Sequence, residues 1–168
     1  MNIMRFFERR GWIILIVINI IFLLFGIGDI IQGMDADPAI AEGVSGLDWE
    51  EVKESQPDLA RLITWQTRAG GGNILILSLF SIAIILKPYR QGQQWAWVTL
   101  WVLPLWMVLI FAMIFFADRP ADNPTPPPMF SAPIFLVLIA LTLLMSYRKF
   151  FPSLQVNRAP AQQATAEA

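Results

Sequence analysis

Two ionisable residues stand where ionisable residues are rare. Asp29 sits in the apolar run Trp12 to Gly33, which is otherwise interrupted only by Asn19 and Gln32, and Arg68 precedes the run Asn73 to Leu86. A carboxylate and a guanidinium held at the edge of hydrocarbon can pair, relay a proton or ion, or extend to the headgroups. Counted from the basic ends of their runs, Asp29 is 17 residues beyond Trp12 and Arg68 is 19 before Lys87. Both therefore lie roughly 25 to 29 Å along their helices, at matching depth and with opposite charge. At 100° per residue Asn19, Gly26, Asp29 and Gly33 share one helix face, and Arg68, Gly71, Leu75 and Ser78 share another. The spacing predicts an interhelical ion pair between Asp29 and Arg68, with small residues allowing close approach.

The other residues able to do chemistry are few. Gly26-Ile-Gly28-Asp29 spells the GxGD string of intramembrane aspartyl proteases, but that reaction needs a second membrane-embedded Asp, and no other apolar run contains one. Asn19, Ser81, Thr99 and Thr142 each fall roughly 8 to 10 Å from the basic end of their run, and with Ser78 they form a candidate polar layer linking helices. Trp101 and Trp106 flank Pro104 near the middle of a third run. Their indole N–H groups need acceptors, and the proline removes a backbone donor and kinks the helix. These three residues are candidate lining for a flat apolar ligand or a lipid chain.

What is missing narrows the chemistry. The chain has no Cys and no His, which removes disulfides, thiol redox chemistry, the usual zinc and haem ligands and the commonest general base. Gly70 to Gly72 lacks the Lys and Ser or Thr of a phosphate-binding loop. No catalytic residues, cofactor or metal are expected, and the chain reads as a non-enzyme.

The elements that must position these residues follow from hydrophobicity. At 168 residues there is room for one domain, and 56% of the residues are hydrophobic, with a mean hydropathy of +0.55. The apolar residues come in blocks, not stripes, so the bilayer is the expected solvent. The expected fold is all-α: a polytopic membrane protein with four transmembrane helices in an antiparallel bundle. The spans are expected at about 12–33, 67–87, 95–117 and 131–149 within one domain, 1–151. The first run exceeds a signal peptide's apolar core and reads as an uncleaved span. Asn73 to Leu86 is 14 residues, roughly 21 Å, so the second span must extend back to about Thr67.

Residues 34–66 are acidic. Asp48, with Glu51 three residues on, predicts a short surface helix over 49–54 in this first outer loop, and Ser55 with Pro57 predicts a helix starting near 57 and running into the second span. Residues 118–128, with their prolines, predict an extended spacer loop, and 152–168 a disordered tail. Trp12, Tyr89, Trp95, Trp97 and Tyr147 are expected in one interfacial belt.

Lys and Arg fix the direction. Residues 1–11, 87–94 and 148–168 collect Arg5, Arg9, Arg10, Lys87, Arg90, Arg148, Lys149 and Arg158, while 11 of the 13 acids fall on the other side, leaving +6 against −7. The positive-inside rule places both termini in the cytoplasm.

The turn Tyr89-Arg-Gln-Gly-Gln-Gln-Trp-Ala-Trp97 resembles the Arg-x-Gly-x-x-Trp-Ala-Trp turn of small four-span bacterial membrane proteins of no assigned activity. Asp48-Trp-Glu-Glu51 and the Pro57 region are similar to their outer loop. The resemblance covers about residues 40–106 and implies four helices in a bacterial inner membrane.

Two roles remain. One is a structural or accessory bundle that contacts another membrane protein or a second copy of itself. The other is a binder or carrier of a lipid-like or apolar small molecule in a Trp-lined pocket. A pocket of a few hundred Å³ between helices, with a few convergent polar groups, would favour the second. No nucleic-acid partner is expected.

Overall fold

A computed structural model describes residues 3–116 and 122–152 of the chain. Among these residues every regular element is helical. Helix α1 (Ile3–Gln32) begins nine residues before the expected span, so the basic segment with Arg5, Arg9 and Arg10 is its first two turns. Helix α2 (Pro38–Ser45) and helix α3 (Trp49–Ser55) follow. Helix α4 (Pro57–Ile84) runs into a π-helical turn, Ile85–Tyr89, around Pro88. Helices α5 (Gln94–Thr99) and α6 (Val102–Phe115) form the third apolar rod, and α7 (Pro128–Phe150) the fourth. Four helical stretches, Met4–Ala36, Pro57–Tyr89, Gln94–Phe115 and Pro128–Phe150, are long and apolar enough to cross a membrane. A continuous helix satisfies its own backbone groups where no water can, which is why such apolar runs become helices.

The termini of the helices obey local chemistry. The Asp48 carboxylate accepts from Glu50 N–H at 2.8 Å and Glu51 N–H at 3.4 Å, capping α3 as its sequence predicts. Pro57 opens α4 and Pro128 opens α7, each in a first turn, where a missing N–H costs nothing. Gly33 ends α1 at φ +65, and a Cβ there would meet Thr64 Cγ2 at 2.5 Å, so only glycine fits. The third rod breaks at Leu100 and Trp101. Pro104 cannot donate to the Leu100 carbonyl, which instead accepts from Leu103 N–H at 3.1 Å. The expected proline kink is thus a short tight turn one helical turn before the proline.

Helix α2 is not among the expected elements. It packs under the proline-rich connection: a Cβ at Gly43 would lie 2.7 Å from Pro126 Cβ, and Pro126 is buried. The expected spacer loop therefore folds back on α2 over the residues described, while 117–121 and residues 153–168 of the expected tail lie outside them.

Pairing runs in reverse order along neighbouring helices. Gly26 meets Gly71 and Gly33 meets Thr64; Gly11 meets Thr142 and Phe22 meets Phe135. The core is filled by Leu15, Ile18 and Phe22 of α1, Ile85 and Tyr89, Leu100, Leu103 and Met107, and Ile139 and Leu143 of α7. A smaller cluster of Trp49, Val52 and Ala60 fixes α3 on the start of α4. The outward faces are apolar too: Leu24, Phe80, Met113 and Phe116 are each more than 60% exposed.

Candidate functional site

The α1 and α4 faces expected from helical spacing do meet, and they meet backbone to backbone. A Cβ on Gly26 would lie 2.8 Å from the Gly71 carbonyl oxygen, and one on Gly71 would lie 2.5 Å from Asp29 Cβ. The ion pair expected on that contact is not formed. Among the described residues the ion pairs are Lys53–Asp35, Lys53–Glu50 and Arg61–Asp58. Arg68 instead donates to the Ile31 carbonyl at 3.4 Å, and is exposed. Asp29 Cβ is seated on Gly71, and the residue lines a cavity between the helices.

That cavity has a volume of about 410 Å³ and lies between α1, α4, α6 and α7. Its inner part is aromatic. Phe22 meets Trp106 edge-on at 5.6 Å between ring centroids, and Phe135 at 5.0 Å. Ile74, Met107 and Ile110 complete the apolar wall. The polar groups are Asp29 and Gln32 of α1, Asp37 at the start of α2, and Ser131 of α7. Leu24 and Phe25 line it while remaining 61% and 58% exposed, so the cavity opens sideways between the rods. Burial pushes the Asp37 carboxyl above its ordinary range, and the nearby Ala39 N–H offsets part of that effect.

Of the expected pocket residues only Trp106 lines this space. Pro104 is buried, and Trp101 packs edge-on against Trp97 at 5.6 Å with its indole N–H unpartnered. Five residues apart, Trp101 and Trp106 fall about 140° from one another on a helix, so they meet different neighbours. Phe22, Gln32, Asp37 and Phe135 were missed. Gln32 stands one turn beyond Asp29 on the same face and could have been found by that spacing.

The expected polar layer is partly assembled. Asn19, Ser78, Ser81 and Thr142 are all buried. Thr99 does not join them: it is exposed and donates to the carbonyl of Trp95 in its own helix at 2.8 Å. Asn19 and Thr142 also bond backwards, to Leu15 and Leu138 carbonyls, leaving Asn19 Oδ1 and Ser78 Oγ unpartnered. The interhelical polar link lies elsewhere. Ser146 Oγ donates to the Leu143 carbonyl at 3.0 Å, so its oxygen receives the Tyr89 hydroxyl at 2.7 Å. Tyr89 is 1% exposed and leaves the expected interfacial belt, while Lys149 reaches over its ring to its carbonyl at 2.9 Å. Trp97 likewise turns inward, donating to the Leu143 carbonyl at 2.9 Å, whereas Trp12 stays at the end of the bundle beneath Arg90.

No protein-family model, curated protein or solved structure matches this chain. The likeness of residues 48–57 and 89–97 to small four-span bacterial proteins therefore rests on those short strings. Its architectural content, four apolar helices of membrane-spanning length, is present.

Proposed function

We propose that this chain is a multi-pass membrane protein that binds or carries a lipid-like or other apolar small molecule in the cavity beside Trp106. The observation that carries the proposal is the cavity itself. Ligand sites are mainly apolar clefts of roughly 300 to 1,000 Å³ with a few convergent polar groups. About 410 Å³ bounded by Phe22, Trp106 and Phe135, with Asp29, Gln32 and Asp37 also on its wall, fits that description. The lateral opening beside Leu24 and Phe25 suits entry from hydrocarbon.

The arrangement we assign is an antiparallel four-helix bundle, supported by the reversed pairing of α1 with α4 and α7. Both basic ends are assigned to the cytoplasm, with the acidic helix α3 at the opposite surface, on the division of Lys and Arg. The bacterial inner membrane is the setting implied by residues 89–97. We assign no catalytic step.

Native mass spectrometry of the detergent-extracted chain tests the reading. A co-purifying lipophile, lost in Trp106→Ala, is expected. A retained protein in its place would favour the accessory bundle. Neither a lipophile nor any change of Trp fluorescence with added lipophilic compounds would remove the ligand reading.

A further inference from the structure

We infer that the ligand of this cavity is an amphipathic cation: a compact apolar or aromatic body bearing one positive centre. The inference rests on the cavity being a ligand site, and it concerns what distinguishes that site from a generic lipid groove. Its walls carry two carboxylates, Asp29 and Asp37, with Gln32 between them along the chain, and no Lys or Arg. The cations of α3 and of the first half of α4 are engaged elsewhere. Lys53 is held by Asp35 at 3.1 Å and Glu50 at 2.7 Å, Arg61 by Asp58 at 2.6 Å, and Arg68 by the Ile31 carbonyl. Among the described residues neither cavity carboxylate belongs to an ion pair.

Asp29 and Asp37 are two like charges facing a mostly apolar space, and no countercharge stands among the described residues that line it. A ligand cation supplies one. The same carboxylates repel an anionic lipid headgroup, so the site selects by exclusion as well as attraction.

The two parts of such a ligand match the two levels of the cavity. From Phe22 to Asp29 the α1 wall rises roughly 10 Å, which separates the aromatic level from the first carboxylate by about the length of a small ring system. Phe22, Trp106 and Phe135 receive the body, and ring faces tolerate positive charge that strays toward them.

Tetraphenylphosphonium and tetraphenylborate are a suitable pair of probes, being nearly the same shape with opposite charge. The full chain in non-ionic micelles is dialysed to equilibrium against each, with protein-free micelles subtracted. The wild-type chain is expected to bind the phosphonium at least tenfold more tightly. Asp29→Asn with Asp37→Asn should abolish that preference, and Trp106→Ala should weaken both ions. Glu50→Gln with Glu54→Gln removes the same charge away from the cavity and should leave the preference intact. Equal binding of both ions by the wild-type chain, or a preference for the borate, overturns the cation assignment while leaving an apolar ligand site standing. A phosphonium preference that survives in the double Asn variant overturns it too. Binding of neither ion, with no co-purified lipophile, overturns both readings.

Discussion

The three consecutive glycines of α4 allow the α1–α4 contact to be tested with its own controls. An added Cβ at Gly71 would lie 2.5 Å from Asp29 Cβ and 2.8 Å from the Gly26 carbonyl oxygen, whereas at Gly70 and Gly72 nothing lies within 4 Å. Relaxed carbon contacts need about 3.5 to 4.0 Å, so Gly71→Ala requires the two helices to part by about 1 Å. Both sides of the contact are backbone or Cβ, so no side chain can swing away to relieve it. Overpacking of this kind costs about 1 to 3 kcal/mol. The gain from replacing a helical glycine by alanine, up to about 1 kcal/mol, is common to all three positions and cancels in the comparison. Gly71→Ala should therefore be about 1 to 3 kcal/mol less stable than Gly70→Ala or Gly72→Ala, measured by reversible unfolding in mixed micelles on titration with dodecyl sulfate. Gly26→Ala, on the other side of the same contact, should behave like Gly71→Ala. Three alanine variants of equal stability across 70–72 would refute the backbone-to-backbone contact.

Asp29→Asn and Arg68→Gln should have additive effects on stability, within about 0.3 to 0.5 kcal/mol, and a larger coupling in the double-mutant cycle would show that the two side chains pair after all. Tyr89→Phe and Ser146→Ala should instead be coupled by about 1 kcal/mol, because a single buried hydrogen bond of 2.7 Å joins them; independent effects on unfolding would refute that bond. Burial raises the Asp37 carboxyl above its unfolded value, so the fold favours its protonated form. The resulting penalty acts above the folded pKa and is relieved as pH falls through it toward the ordinary carboxylate value. Asp37→Asn should accordingly raise the unfolding temperature at neutral pH and lose that advantage in acid, and a benefit independent of pH would refute the assignment.

Much of the architecture was legible in the order of residues because each helix answers to its own composition. Apolar blocks of sufficient length need no neighbour to declare themselves, and the start of α4 at Pro57 and the Asp48 cap of α3 are local events. The faces of α1 and α4 were legible for the same reason, since a regular helix converts spacing directly into direction. Depth without direction was a poorer guide. Trp101 and Trp106, five residues apart, point in different directions on any regular helix, and Thr99, placed by depth, ended on the outside of the bundle. Helix α2 did carry local signals, Pro38 in its first turn and Gly46 at φ +75 after its end, but it is short and lies in an otherwise polar segment. Side-chain pairing was decided only in three dimensions. Asp29 and Arg68 have matching depth and opposite charge, yet Asp29 lines the cavity while Arg68 donates to the Ile31 carbonyl. The cavity is the clearest case: Phe22, Trp106 and Asp37 are far apart along the chain, and no local rule says that the space between four helices will be left unfilled. Hydrocarbon-length blocks record what each segment must be, whereas an unfilled volume exists only once all of its walls are in place.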